Sequence, residues 1–241
     1  MRARMSLLAL EGVTKRYSVG RRVTGALEGV SFSMLPGELV SVWGVPRSGK
    51  TTLLRVAAGL EPPDDGVVRF DGERVPVGRE VLDERIAFAR PDLRAARGQS
   101  IEDYVAMPLL VRGVPPKDAA ARALAELARV GAAECAALTA NDLDSTEAVR
   151  VALAQALVTS PRLLIVDEPT RDIDPRDRAS ILLLLRSIAC RDVAVLMTTG
   201  EAIGVAGADR ALAIQNGRVQ TEATANVAPV IPLRRGHVEV G

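Results

Sequence analysis

Short apolar runs alternate with turn residues along the whole chain, and the length and spacing of each run separates strands from helices. Residues 7–13 and 29–34 mix apolar with small residues and predict two strands, with a turn at Pro36-Gly37 after the second. Residues 39–43 form a compact apolar strand. Residues 51–58 have helical spacing, closed by Gly59. Residues 61–65 predict a loop, and residues 67–70 followed by Asp71-Gly72 predict a strand and hairpin turn. Residues 119–130 favour helix throughout and end at Gly131. After them come a helix over 147–158, closed by Ser160-Pro161, and a buried strand over 163–166. A helix over 179–189 and a strand over 193–197 follow. Residues 211–214 and 218–220 flank Asn216-Gly217 as a closing hairpin, and Pro229, Pro232 and Gly236 mark a loosely held tail from Thr221 onward. No internal repeat is visible, and the pattern is α/β with a helical insert from about residue 91.

Composition narrows the partners. The 241 residues are 48% apolar and 25% charged, ordinary for a globular chain, and only 2% aromatic, so the core must rest on Ala, Leu and Val. A net charge of +1 offers no electrostatic reason to expect nucleic acid. Cys135 and Cys190 stand far apart, without C-x-x-C spacing, and read as reduced, buried small hydrophobes of a cytosolic protein. The longest apolar candidate, residues 181–185, is bracketed by Arg178 and Arg186 and falls far short of the roughly 18 residues a membrane-spanning helix needs. The basic start Met1-Arg2-Ala3-Arg4-Met5 precedes an apolar run too short for a signal peptide. The expectation is a soluble chain whose membrane role, if any, comes through another subunit.

The chemistry starts at Gly44-Val45-Pro46-Arg47-Ser48-Gly49-Lys50-Thr51, which fits G-x-x-x-x-G-K-[ST] and lies between a strand and a helix. A helix N-terminus has unpaired N–H groups and a dipole that favours anions, so this loop predicts a nucleoside triphosphate site. Lys50 would reach the terminal phosphates, and the Thr51 hydroxyl would ligate Mg²⁺. Pro46 removes one backbone N–H from the loop. Downstream, an apolar strand ends in Asp167-Glu168. Asp167 is the candidate magnesium carboxylate and Glu168 the candidate base for an attacking water. Asp-Glu-Pro is otherwise an ordinary exit from a strand.

With both elements placed, the chain resembles the ATP-binding subunit of ABC transporters over nearly all of residues 6–220. The resemblance rests on Leu27-Glu28-Gly29-Val30-Ser31-Phe32, Pro36-Gly37-Glu38, Leu53-Leu54-Arg55, Ala58-Gly59-Leu60, residues 149–157, Pro161 and Asp167-Glu168-Pro169-Thr170. Val105-Ala106-Met107-Pro108-Leu109-Leu110 is similar to the lipoprotein-release and macrolide-export branch. The resemblance implies a P-loop NTPase (RecA-like) core over residues 1–220, with N-terminal antiparallel strands and a helical subdomain at about 91–147, then a tail over 221–241. It implies ATP held by Tyr17, which would stack on adenine or is otherwise a strand-edge aromatic, by Gly44, Val45, Pro46, Arg47, Ser48, Gly49, Lys50 and Thr51, and by Thr52. It further implies Mg²⁺ at Thr51 and Asp167, catalysis by Glu168, and a head-to-tail dimer, with itself or a second cassette. Asp144, Ser145, Thr146 and Asp174 would lie at that interface, and a membrane permease would place the chain on the cytoplasmic face.

Three of the family's elements depart from pattern. The signature L-S-G-G-Q aligns on Leu143-Asp144-Ser145-Thr146-Glu147, so both glycines are lost and a carboxylate enters. Facing a phosphate about 4 Å away, that carboxylate would meet a repulsion of about 4 kcal/mol at an effective dielectric near 20. Locally, Asp144-x-x-Glu147 reads as a capping box that would close the helix N-terminus on itself. The family's glutamine aligns on Pro91, beside Arg90, which either reaches a phosphate or is an exposed loop arginine. Its histidine aligns on Gly200 in Thr199-Gly200-Glu201, and the only histidine present is His237. Arg47 also stands where the family has glycine. The implied function is an ABC ATPase subunit of low turnover. The alternatives are a non-hydrolysing regulatory or scaffold subunit, and a soluble ABC protein of translation or repair, against which the single-length domain and near-zero charge both argue.

Overall fold

The computed structural model describes residues 6–19, 22–77, 83–90, 92–189 and 193–224. Pro91, Cys190 and His237 therefore lie outside the described residues. The chain begins with two long antiparallel strands, β1 (Leu8–Val19) and β2 (Arg22–Met34), followed by β3 (Leu39–Trp43) and helix α1 (Lys50–Ala57). Next come β4 (Asp65–Phe70), the two-residue β5 (Glu73–Arg74) and β6 (Ile86–Ala89). The helical region holds α2 (Ile101–Val111), α3 (Pro116–Arg129) and α4 (Ser145–Leu157). The chain then alternates β7 (Leu163–Val166), α5 (Pro175–Ala189), β8 (Ala194–Thr199) and α6 (Ala202–Ala206), and closes with β9 (Arg210–Gln215) and β10 (Arg218–Thr224).

Two sheets result. One is antiparallel, in the order β2-β1-β4-β5; the other runs β10-β9-β3-β8-β7-β6 and is parallel except for β10. The central strands β7 and β8 are buried along their full length, which is why they read as unbroken apolar runs. One core lies between the two sheets around α1 and includes Leu53, Leu54, Phe70 and Leu196. The other joins the opposite face of the parallel sheet to α2, α3, α4 and α5 through residues such as Leu109, Leu127, Leu153 and Leu185. The carboxyl ends of β3, β7 and β8 thus converge at one edge, where open α/β sheets place ligands.

Several elements differ from their sequence expectation. β1 runs on to Val19 through Thr14, Lys15, Arg16 and Tyr17, which break the apolar pattern. Asp64 holds that extension, accepting the Arg16 N–H at 2.6 Å and pairing with Lys15 at 3.2 Å. Helix α2 goes unpredicted because Pro108 interrupts it and nearly every residue in it is apolar, which leaves no polar stripe to reveal its period. Ser100, which caps it by accepting the Asp103 N–H at 3.1 Å, was its one legible start signal. The four-residue β6 and five-residue α6 are also unpredicted. Strand β10 extends to Thr224, four residues into the expected tail. Among the described residues no helix is long and apolar enough to cross a membrane. Cys135 is buried, and burial raises its thiol above the ordinary range, so it is the inert core residue expected.

Candidate functional site

The loop between β3 and α1 is shaped by close backbone approaches. A Cβ on Gly44 would lie 2.5 Å from the Ile214 carbonyl oxygen. One on Gly49, whose φ is +109°, would lie 2.3 Å from the Ala26 carbonyl oxygen. Only glycine fits either place. Ser48 donates its N–H to the Val45 carbonyl at 3.2 Å, folding the loop over, and Gly217 donates its N–H to the Ser48 carbonyl at 2.9 Å. Arg47 sits between them with φ +66°, left-handed backbone that glycine takes more readily. Its replacement of the family's glycine therefore strains the loop without unfolding it.

Lys50 is buried, and its ammonium donates to the Gly44 carbonyl at 2.7 Å and the Val45 carbonyl at 3.2 Å. It also pairs with Glu168 Oε1 at 3.1 Å. The other oxygen of Glu168, Oε2, pairs with Arg171 Nε at 3.2 Å. Glu168 itself has φ +45°, a strained conformation of the kind found where function holds a residue in place. Beside it, the Thr51 hydroxyl donates to Asp167 Oδ2 at 2.8 Å and the Thr198 hydroxyl donates to Asp167 Oδ1 at 2.5 Å. Thr198 also accepts the Glu168 N–H at 2.9 Å. One hydroxyl thus orients both carboxylate residues. Thr198 was not singled out from sequence. The signal is register: β7 and β8 pair Val166 with Met197, so the next residue of each strand is Asp167 and Thr198.

Tyr17, at the end of β1, is half-exposed, and its hydroxyl donates to Glu61 and lies 3.5 Å from the Thr52 hydroxyl. Burial, and then the bond to Glu61, raise the phenol above its ordinary range, so it stays a protonated donor at neutral pH. A cavity of about 480 Å³ joins Tyr17, Pro46, Arg47, Gly49, Lys50, Thr51 and Thr52 to Glu168 and Arg171. Gly44 and Ser48 lie behind the loop, and exposed Val45 at its tip. A second cavity of about 210 Å³ runs from Pro46, Lys50, Glu168 and Arg171 to Gly200 and Glu201.

Fit to a triphosphate can be judged from these atoms. Buried Lys50 supplies the cation, and Gly49, Lys50 and Thr51 line the cavity at the N-terminus of α1, whose first N–H groups favour an anion. The Thr51–Asp167 pair offers hard oxygens, as magnesium requires. Among the described residues no group of three or more His, Cys, Asp or Glu could hold a metal, so the ion would need phosphate oxygens to complete its shell. The residues fit both groups.

The remaining sequence candidates lie elsewhere. Asp144 is the N-cap of α4: its carboxylate accepts the Glu147 N–H at 2.8 Å and Glu147 Oε2 accepts the Asp144 N–H at 2.9 Å. Of the two readings of Asp144, this is the capping box, and it draws Ser145 and Thr146 into the helix. Asp174 accepts the Arg176 N–H at 2.9 Å at the start of α5. Arg90 is exposed, 5.8 Å from the Phe88 ring, and lines a cavity of about 370 Å³ that reaches Thr51 and Asp167. At Gly200 an added Cβ would meet nothing within 4 Å, so the histidine's position is open space.

The model of the ABC transporter family matches residues 27–171. The lipoprotein-releasing system ATP-binding protein LolD of Chromohalobacter salexigens is 34% identical over 223 residues, covering 90% of this chain and 94% of that one. The macrolide export ATP-binding/permease protein MacB of Azoarcus sp. is 30% identical over 88% of this chain, which spans only 33% of MacB. The ATP-binding cassette MJ0796, solved as a dimer in a post-hydrolysis state with ADP and Pi, is 25% identical, with TM-score 0.82 over 90% of this chain and 98% of that one. CbiO1 of Clostridium perfringens, described as part of the ABC transporter complex CbiONQ, is 26% identical, with TM-score 0.81 over 91% and 89%.

Proposed function

The chain belongs to the ABC transporter family, and from that premise we propose that it is an ATP-binding subunit that binds MgATP, pairs with a second cassette and couples to a separate membrane permease while hydrolysing slowly. One observation carries the reading: an intact phosphate loop and carboxylate pair coexist with a signature helix closed by its own capping box. Lys50, in a buried pocket and held by two loop carbonyls, is placed to exchange Glu168 for a phosphate oxygen. Bound magnesium would neutralise charge on the phosphates. Thr51 and Asp167 would hold it, and Thr198 would keep Asp167 oriented. Glu168, released by Lys50, would take the proton of the attacking water.

Slow turnover follows from what surrounds that step. Gly200 offers no imidazole, and the capping box takes two of the α4 N-terminal donors, the N–H groups of Asp144 and Glu147, and sets two carboxylates where a partner's nucleotide would approach. A homodimer would carry these defects in both composite sites. The name of LolD supports a separate permease, since it describes an ATP-binding protein alone, whereas MacB is an ATP-binding/permease protein. The engagement of both Glu168 oxygens favours a second reading, a regulatory subunit that never hydrolyses.

The test uses Trp43, the only tryptophan, one residue before the loop. Its fluorescence should report saturable MgATP binding that weakens about tenfold to 100-fold in Lys50→Ala, given loss of a charge-assisted contact. No saturable response up to about 1 mM ATP, roughly an ordinary enzyme's upper range, would refute the reading. If Glu168→Gln leaves function in the cell intact, the regulatory reading replaces the enzymatic one.

A further inference from the structure

The cavity that lacks a histidine at Gly200 is lined by a second cation besides Lys50, Arg171. Arg171 lines both the 480 Å³ and the 210 Å³ cavities, together with Pro46, Lys50 and Glu168. Its contact with Glu168 Oε2 is made through Nε, so the two terminal nitrogens of a five-donor fork remain for a ligand. The side chain is 65% exposed, so turning it costs little packing. Across the smaller cavity, Gly200 presents no side chain. Besides Arg171, Lys50 is the one cation lining that cavity, facing the carboxylates of Glu168 and of Glu201, the latter paired with Arg178 at 2.5 Å.

A guanidinium matches a phosphate better than any other side chain, because it is always charged and donates in a planar fork. Resting on the triphosphate reading above, we propose that Arg171 is a phosphate-binding residue of this site. It supplies to the terminal phosphate of a nucleoside triphosphate, from the carboxylate side, the cation that position 200 lacks. Glu168 parks Arg171 and Lys50 in the absence of nucleotide, and the terminal phosphate takes both. Arg171 therefore discriminates triphosphate from diphosphate.

The experiment measures MgATP and MgADP affinity of the full chain, wild type, Arg171→Ala and Arg171→Lys, by Trp43 fluorescence or calorimetry. Arg171→Ala should weaken ATP by about tenfold or more, the worth of one charge-assisted contact, and change ADP by less than about twofold. Arg171→Lys should recover only part, since lysine keeps the charge and loses the fork. The same ATP-selective loss should persist in a Glu168→Gln background, where a residue acting only through Glu168 would show none. Equal losses for both nucleotides, unchanged ATP affinity, or tighter ATP binding in Arg171→Ala would each overturn the proposal. Thermal unfolding without nucleotide separates misfolding from a binding defect. Wild type that binds neither nucleotide would instead sink the triphosphate reading itself.

Discussion

Arg47 occupies left-handed backbone at φ +66°, in a loop where Gly44 and Gly49 could be nothing else. Such backbone costs a residue with a Cβ about 1–2 kcal/mol, and glycine's greater freedom in the unfolded chain returns about 0.5–1 kcal/mol of that. Arg47→Gly should therefore stabilise the nucleotide-free protein by up to about 1 kcal/mol, read from denaturant unfolding. A loss of stability would mean that the Arg47 side chain holds the loop by contacts outweighing its backbone strain. At this scale the sequence was most legible. Gly44, Gly49, Lys50, Thr51, Asp167 and Glu168 announce themselves by type and spacing, and the structure brings them to one edge. Thr198 and Arg171 did not, because a threonine on a neighbouring strand and an arginine in a turn carry no local pattern; only the strand register and the turn after β7 place them.

Helix α4 starts on a local device. Asp144 and Glu147 engage each other's N–H groups reciprocally at 2.8 and 2.9 Å. Asp144→Ala should cost about 1 kcal/mol of stability, the usual worth of an N-cap, and Asp144→Ser only a few tenths, since serine caps equally well. Equal losses for both would point to a role of the Asp144 charge beyond capping. The box was legible from Asp144-x-x-Glu147 because it is purely local. Helix α2 was not, because Met107 and Val111 on its exposed face are apolar like its buried face, so no polar stripe marks the turn of the helix. Its packing is a tertiary property.

Across the whole molecule, acidic side chains pin the ends of elements, and their titration contributes to a loss of stability in acid. Asp83 is held below the ordinary aspartate value near 3.8 by the side chain of Arg85, and Asp64 by the Arg16 N–H and then Lys15. A carboxylate depressed in the folded state stabilises fully above its unfolded value and loses that contribution as pH falls through the folded one. The melting temperature should thus be flat near neutrality and drop below about pH 4, with a shallower drop in Asp83→Asn. A drop already complete at about pH 5 would assign the acid limit to other groups. On the proposed function, catalytic output is likewise a property of the assembly, because each composite site would need a signature helix from the second subunit. Restoring Asp144→Ser, Ser145→Gly, Thr146→Gly, Pro91→Gln and Gly200→His together should raise turnover at least about tenfold, since removing one preorganised donor alone commonly costs about 100-fold. Slow hydrolysis is measured most directly as phosphate release from saturating MgATP by the purified wild-type chain, at protein concentrations high enough to populate dimers. Release should stay near background, well below about 1 per second, the low end of ordinary enzymes. A sustained rate at or above that value, abolished by Glu168→Gln, would contradict slow hydrolysis.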